Sequence, residues 1–408
     1  MKQLNWYQIF GKSNIPDGAT VLPTDDIQIL LNCADIWDKS YTALNELLAD
    51  ADTLLAVINS ENAVNYLVRS TTWAAPKMLV PEMTSNNTPS GICLCDSNVS
   101  GEEAYKAFDR NNSTYWESNV ANTTGGQWVG YKFTTPQIID YLINRSSAGA
   151  TNNVKVQYSD DDVNWVDTGD TYNIKNSDGD KKVSVTVDSA HYSYRIYCTS
   201  ASSTTRLATT ELNFYSPSIS ESADAMAYIG QNNYCANTLL ADATWCEAIC
   251  RSEYFESVLN VKVPTMTSNT TPSGECFGSA VHPDHRYYYA FDGNTSTHWY
   301  SPWNQNPTNG YIGYKFVSAS MCKVMAYNCQ SIASNHKPLG IKVQGSNDGV
   351  TYIDLASASW EKNNNPETVF FASNTTKYLY YRMFISGGTT TNQQAGATEL
   401  QFYGREDV

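Results

Sequence analysis

The sequence predicts a mainly β protein of two antiparallel β-sandwich or jelly-roll domains, each preceded by an α-helical segment. Three observations lead there. A ten-residue string occurs twice, as Ala107-Phe108-Asp109-Arg110-Asn111-Asn112-Ser113-Thr114-Tyr115-Trp116 and as Ala290-Phe291-Asp292-Gly293-Asn294-Thr295-Ser296-Thr297-His298-Trp299. The segments after each copy alternate apolar and polar residues with period two, as Val154, Val156 and Tyr158 do against Lys155 and Gln157, which is strand patterning. The segments before each copy carry apolar residues at steps of three and four, which is helix patterning.

In chain order, residues 1–80 read as an irregular arm followed by a helical anchoring and oligomerisation region. Ile27, Leu30, Ala34, Trp37, Tyr41, Leu44, Leu48, Ala51, Leu55 and Ile58 follow the spacing of a coiled-coil seam, with Thr24-Asp25-Asp26 as its start. Leu31, Ile36, Leu47, Leu54 and Val57 widen the stripe, and the competing reading is a set of shorter helices broken near Asn32, Ser40 and Asp50. The seam predicts a homo-oligomer, with a trimer favoured.

Residues 81–216 form the first β module, 217–263 a helical spacer and 264–408 the second β module. The spacer echoes the first helical region: Asn237-Thr238-Leu239-Leu240-Ala241-Asp242 follows Asn45-Glu46-Leu47-Leu48-Ala49-Asp50. Between the β copies, Val129-Gly130-Tyr131-Lys132-Phe133 matches Ile312-Gly313-Tyr314-Lys315-Phe316, and Lys155-Val156-Gln157 matches Lys342-Val343-Gln344. Tyr194-Arg195-Ile196 matches Tyr381-Arg382-Met383, and Thr210-Glu211-Leu212 matches Thr398-Glu399-Leu400. Asp160-Asp161-Asp162 and Asn347-Asp348-Gly349 occupy one hairpin-turn position, so the acidic triplet reads as a solvated turn.

Composition narrows the function. A formal net charge of -15 without a Lys/Arg block argues against nucleic acid, because no patch is available to displace counterions. No apolar run is long enough for a membrane span, and the first residues show no secretion signal. The 10 cysteines form no paired C-x-x-C set and are expected to be reduced and mostly buried; Cys246 and Cys250 fall on an apolar helical stripe. No nucleophile elbow, zinc-protease helix or phosphate loop is present, so the chain is expected not to be an enzyme.

The ordered motifs Ala-Phe-Asp-x-Asn-x-Ser-Thr-x-Trp, Gly-Tyr-Lys-Phe, Val-Gln-x-Ser, Tyr-Arg-Ile/Met and Thr-Glu-Leu-x-Phe-Tyr resemble the discoidin or coagulation-factor type C family, whose fold is galactose-binding-like. That family includes many carbohydrate-binding modules. The resemblance covers about residues 81–216 and 264–405. It implies structural calcium, held by Asp109, Asn111, Thr114 and Glu211 in the first copy and by Asp292, Asn294, Thr297 and Glu399 in the second. Calcium takes about six to eight oxygen ligands, and such loops are rich in them. Arg110 stands where the second copy has Gly293, a position expected to need a positive φ.

Trp116 and Trp299 are expected in the core. Sugar recognition in the family belongs to loops at one end of the sandwich. Here those loops offer Trp303, His282, Arg286 and His336 in the second copy, and Arg145 and Arg206 in the first. The His282-x-x-His285 pair lacks a third metal ligand.

The lead-in Met83-Thr84-Ser85-Asn86-Asn87-Thr88-Pro89-Ser90-Gly91, repeated at Met266, is similar to tail-associated structural proteins of bacteriophages. The expectation is therefore a non-catalytic virion protein assembled in a host cytoplasm. Its N-terminal region contacts other virion proteins, and its modules bind glycans of the host surface or mucus. The alternatives are a decoration protein without sugar binding and an accessory subunit of a bacterial glycan-degrading assembly.

Overall fold

A computed structural model describes residues 41–121, 123–187, 189–279, 282–301, 309–329, 338, 340–359, 367–387 and 395–405. The described residues divide into two compact units, 41–54 with 70–221 and 55–69 with 222–405. The protein is mostly β, in antiparallel sheets, with short helices.

The first sandwich is built from β1 (Ile92–Cys95), β2 (Trp116–Glu117), β3 (Trp128–Gln137), β4 (Tyr141–Ser146), β5 (Asn152–Ser159), β6 (Val166–Ile174), β7 (Asp180–Ser184), β8 (His191–Ala201) and β9 (Ala208–Tyr215). One sheet runs β1-β3-β8-β5-β6 and the other β2-β9-β4-β7, so neighbours in space are distant in sequence, as in a jelly roll. Alternation explains the core. Val154 and Val156 face inward with Ile196 and Cys198, and all four are buried. Trp116, Phe108, Tyr131, Tyr194 and Phe214 fill the space between the sheets.

In the second unit, β10 (Asn260–Val261), β11 (Glu275–Gly278), β12 (Trp299–Tyr300), β13 (Tyr311–Ser320), β14 (Val324–Asn328), β15 (Gly340–Ser346), β16 (Ile353–Ser359), β17 (Glu367–Phe370), β18 (Tyr378–Gly387), β19 (Gly396–Ala397) and β20 (Glu399–Gly404) repeat the plan. Its sheets run β11-β13-β18-β15-β16 and β10-β20-β14-β17, with β12 paired to β19. Trp299, Phe291, Tyr314, Tyr381 and Phe402 take the core positions of the first copy's aromatics. The tryptophans expected in the core are there: Trp116 and Trp299 are 0 % exposed.

The helices end where a capping side chain starts the next one. Ala223–Gln231, Asn233–Ala241 and Ala243–Arg251 begin after Ser222, Asn232 and Asp242, and each side-chain oxygen accepts a backbone N–H of the following turn. Cys246 and Cys250 are buried in the last of these helices. All nine described cysteines are free thiols.

The same device corrects the coiled-coil reading. The described part of that stretch is three helices, Tyr41–Ala49, Ala51–Asn59 and Glu61–Leu67. Asp50 Oδ1 accepts Thr53 N–H at 3.0 Å and Ser60 Oγ accepts Ala63 N–H at 3.3 Å, so the chain re-caps instead of continuing. Leu55, placed on the expected seam, is 38 % exposed, whereas Leu47, Leu54 and Val57 are buried. In the second unit, Glu61–Leu67 packs against Asn233–Ala241, and Tyr234 donates a hydrogen bond to Asn65. Residues 25–40 of the expected seam lie outside the described residues.

Candidate functional site

The repeated polar loop folds identically in both copies. Asp109 Oδ1 accepts the N–H of Asn111 at 3.0 Å, and Asn111 Oδ1 accepts the N–H of Ser113 at 3.0 Å. The Thr114 hydroxyl lies 2.7 Å from Asp109 Oδ2 and 2.9 Å from the Asn111 carbonyl. In the second copy Asp292 Oδ1 accepts Asn294 N–H at 2.9 Å, and Thr297 Oγ1 lies 2.8 Å from both Asp292 Oδ2 and the Asn294 carbonyl. These are Asx turns, in which short polar side chains replace the missing backbone partners.

Glu211 on β9 and Glu399 on β20 close the clusters from below. Burial, and then the charge of Asp109, push the Glu211 carboxyl up to about 7. Burial, and then Asp292, do the same to Glu399, also to about 7. One oxygen of each, Oε1, is buried without a hydrogen-bond partner. A buried carboxylate oxygen left unsatisfied beside a second carboxylate is costly, and a cation would satisfy both. The donor set fits a hard cation of the calcium type: two carboxylates, a hydroxyl and turn carbonyls, all oxygen. Among the described residues no three His, Cys, Asp or Glu side chains converge, so carbonyls and the hydroxyl must complete any such shell. Asn111 and Asn294 accept with their side-chain oxygens from Ser113 and Ser296, and with their carbonyls from Thr114 and Thr297.

Arg110 adopts φ 56 and Gly293 φ 69, so the arginine holds the conformation that the second copy assigns to glycine. Its Nη2 donates to the Val80 carbonyl at 3.3 Å. Left-handed backbone costs a non-glycine residue roughly 1–2 kcal/mol, offset in part by the lower entropy of its unfolded chain. Arg110→Gly is expected to stabilise the first module by up to about 1 kcal/mol in urea unfolding. Destabilisation would show that the bond to Val80 outweighs the strain.

The residues expected to bind sugar are placed unevenly. Trp303 and His336 lie outside the described residues. His282 and His285 pair across a tight turn, with ring centroids 5.0 Å apart. His285 stacks on His298 at 4.4 Å and meets Tyr300 edge-on at 4.8 Å. Burial lowers the pKa of His285 and favours its neutral form. Arg286 is exposed one residue further on.

At the equivalent end of the first module, Glu117 stands in place of Tyr300, and Arg206 lies 3.9 Å from it. Arg145 requires a correction. It sits in β4, not in a loop, and its Nε donates to Asp180 Oδ1 at 2.7 Å. Its register position opposite Asp180 on β7 makes it a strand-face ion-pair partner. The acidic triplet is the turn expected: Asp161 Oδ1 accepts the N–H groups of Val163 and Asn164, and Asp160 pairs with His191 at 3.0 Å.

With this geometry in hand, the comparisons can be placed. Residues 87–211 match the F5/8 type C domain. The match covers most of the first sandwich, and the second module repeats the first module's sequence motifs in the same order. No curated protein matches the chain. Among solved structures, the chain is similar to the CBM32-1 and CBM32-2 domains of Clostridium perfringens ZmpB, at 14 % identity over 79 % of this chain and 94 % of that one, with a TM-score of 0.34. It is also similar to the family 32 carbohydrate-binding module of C. perfringens NanJ in complex with galactose, at 20 % identity over 32 % of this chain and 93 % of that one, with a TM-score of 0.29.

One arrangement in the two modules escaped the sequence reading. Arg195 and Arg382, noted only as part of a repeated Tyr-Arg motif, are ringed by aromatic side chains on the outer face of each five-stranded sheet. Their recurrence beside Lys155-x-Gln157 and Lys342-x-Gln344 was the available signal.

Proposed function

We propose that this chain is a non-catalytic glycan-binding protein whose two modules attach it to host-surface or mucosal sugars. The supporting observation is a contrast between the copies. The Asx loop and its closing glutamate are retained almost atom for atom, while the adjacent loop end changes from Arg206 and Glu117 to a cluster of His282, His285, His298 and Tyr300 beside exposed Arg286. Scaffolding is kept and the surface it supports is varied, which is how recognition loops on a rigid sandwich behave. Imidazole and tyrosine rings offer apolar faces with polar edges, the chemistry that a sugar ring requires.

In this reading the Asx loops hold structural calcium through Asp109, Asn111, Thr114 and Glu211, and through Asp292, Asn294, Thr297 and Glu399. The ion would neutralise the facing carboxylates and tie each loop to the sheet beneath. The setting proposed is a virion appendage, on the similarity of the lead-in motifs and helical spacers to bacteriophage tail-associated proteins. Several chains per particle would raise weak single-site binding through avidity, by roughly 10² to 10⁴.

A glycan array probed with the full chain tests the reading. Binding to host-type glycans is expected, and the double variant His282→Ala with Arg286→Ala is expected to lose about tenfold or more of it while Arg206→Ala affects only ligands of the first module. A chain that binds no glycan on the array would overturn the proposal and favour a decoration role. Proteomics of purified particles tests the virion setting, and light scattering of the full chain tests its oligomeric state.

A further inference from the structure

The outer face of each five-stranded sheet carries a repeated cluster. Cross-strand register sets it up. Gly130, Arg195, Gln157 and Asp167 lie side by side across β3, β8, β5 and β6, with Trp128, Tyr197 and Lys155 in the next row. Gly313, Arg382, Gln344 and Asp354 repeat the first row, and Tyr311, Phe384 and Lys342 the second. The glycine is required by close approach: a Cβ at Gly130 would come 2.6 Å from Arg195 Cβ and 2.3 Å from the Tyr194 carbonyl oxygen.

The guanidinium of Arg195 sits 4.0 Å from the Trp165 ring centroid and 4.6 Å from that of Trp128. That of Arg382 sits 3.5 Å from Tyr352 and 4.4 Å from Tyr311. Nε donates to Gln157 Oε1 at 2.8 Å in one module and to Gln344 Oε1 at 2.7 Å in the other. The glutamine amide then donates to Asp167 or Asp354, whose other oxygen accepts from Lys155 at 2.8 Å or Lys342 at 2.6 Å. Two modules with different aromatic residues thus hold the same polar chain, Arg–Gln–Asp–Lys.

Three features mark this face as more than packing. An outward sheet face in water is ordinarily polar, yet Trp128, Trp165 and Tyr197, like Tyr311, Tyr352 and Phe384, are all half-buried here. Neither guanidinium has a carboxylate within ion-pair distance among the described residues, and no described residue accepts from its two Nη groups. Burial lowers the pKa of Arg195. Each cluster also sets an Arg and a Lys against one Asp, a positive spot on a chain of net charge -15.

Half-buried rings offer a surface for the C–H face of a sugar, and a free Nη pair matches a carboxylate in bidentate geometry. We propose that the outer sheet face of each module is a second glycan site, selective for an acidic sugar. The pyranose would pack on Trp128 and Trp165, or on Tyr311 and Tyr352, with its carboxylate on the Nη pair of Arg195 or Arg382. None of its residues belongs to the loop cluster of His282, His285, His298 and Tyr300.

Calorimetric titration of the full chain with a uronic-acid tetrasaccharide and with its carboxyl-reduced counterpart tests the proposal. The acidic form is expected to bind about tenfold more tightly. Trp165→Ala combined with Tyr352→Ala is expected to lower that affinity by about tenfold or more. Should the aromatic variant fail to fold, Lys155→Glu with Lys342→Glu reverses the charge at the end of the polar chain and is expected to abolish the preference. Equal binding of acidic and neutral forms, or folded variants with unaltered affinity, would overturn the proposal.

Discussion

Calcium added to the metal-free protein is expected to raise its melting temperature, and to raise it more as pH increases. The physical basis is the pair of buried glutamates. Folding lifts the carboxyls of Glu211 and Glu399 from the ordinary 4.5 to about 7. Because the folded state binds these protons more tightly than the unfolded state, the two groups favour folding fully below pH 4.5, and that contribution is lost as pH rises through about 7.

A divalent cation reverses the slope, since it binds the ionised form and only in the folded loop. At about 100 times its dissociation constant a ligand stabilises by about 2.7 kcal/mol, or roughly 5–10 °C for a domain of this size. Scanning calorimetry in chelator and in calcium, at pH 5 and pH 8, reads the effect. Glu211→Gln and Glu399→Gln should each remove the shift of one module and flatten its metal-free pH dependence. Arg110 places a positive charge near Glu211, so the first module is expected to bind the ion more weakly than the second. No thermal shift in millimolar calcium at pH 8 would exclude the calcium reading.

The second large effect concerns the tryptophan that ends each repeated string. Trp116→Ala and Trp299→Ala are each expected to cost their module about 3–5 kcal/mol in denaturant unfolding. Both indoles are 0 % exposed, and Trp116 Nε1 donates to the Ser97 carbonyl at 2.9 Å, so truncation leaves a cavity and an unpaired oxygen together. Where the variants remain folded, glycan affinity should not change, because no ligand reaches these rings. A loss below about 1 kcal/mol would mean that the sandwich repacks around the gap.

The two predictions assign different tasks to one ten-residue string. Its aspartate and threonine face the proposed cation site at the surface, and its tryptophan anchors the interior. The string is therefore conserved between the copies for folding, and the residues around it are free to diverge. Histidines and tyrosine occupy that margin in the second module, and an arginine–glutamate pair occupies it in the first.

The sequence by itself determined the elements whose cause is local or repeated. Period-two alternation at Val154 and Val156 requires a strand with one buried face, and the Asx residues of Asp109 to Thr114 require a turn whatever lies beneath. Repetition then made the domain plan legible, because two copies of a motif share one fold.

Tertiary structure decided what depends on register and on competing partners. Trp128, Gln157, Trp165 and Arg195 meet only because β3, β8 and β5 pair in one register, and nothing local to any of them announces the others. Arg145 looked like a loop cation until its strand pairing set it beside Asp180. The apolar run from Tyr41 onward suited a long seam in spacing alone, but Asp50 and Ser60 offer their side chains to the next backbone N–H groups, and a helix that can cap cheaply at both points has no reason to continue. Local chemistry writes the elements, and the pairing of distant strands selects which of their side chains share a surface.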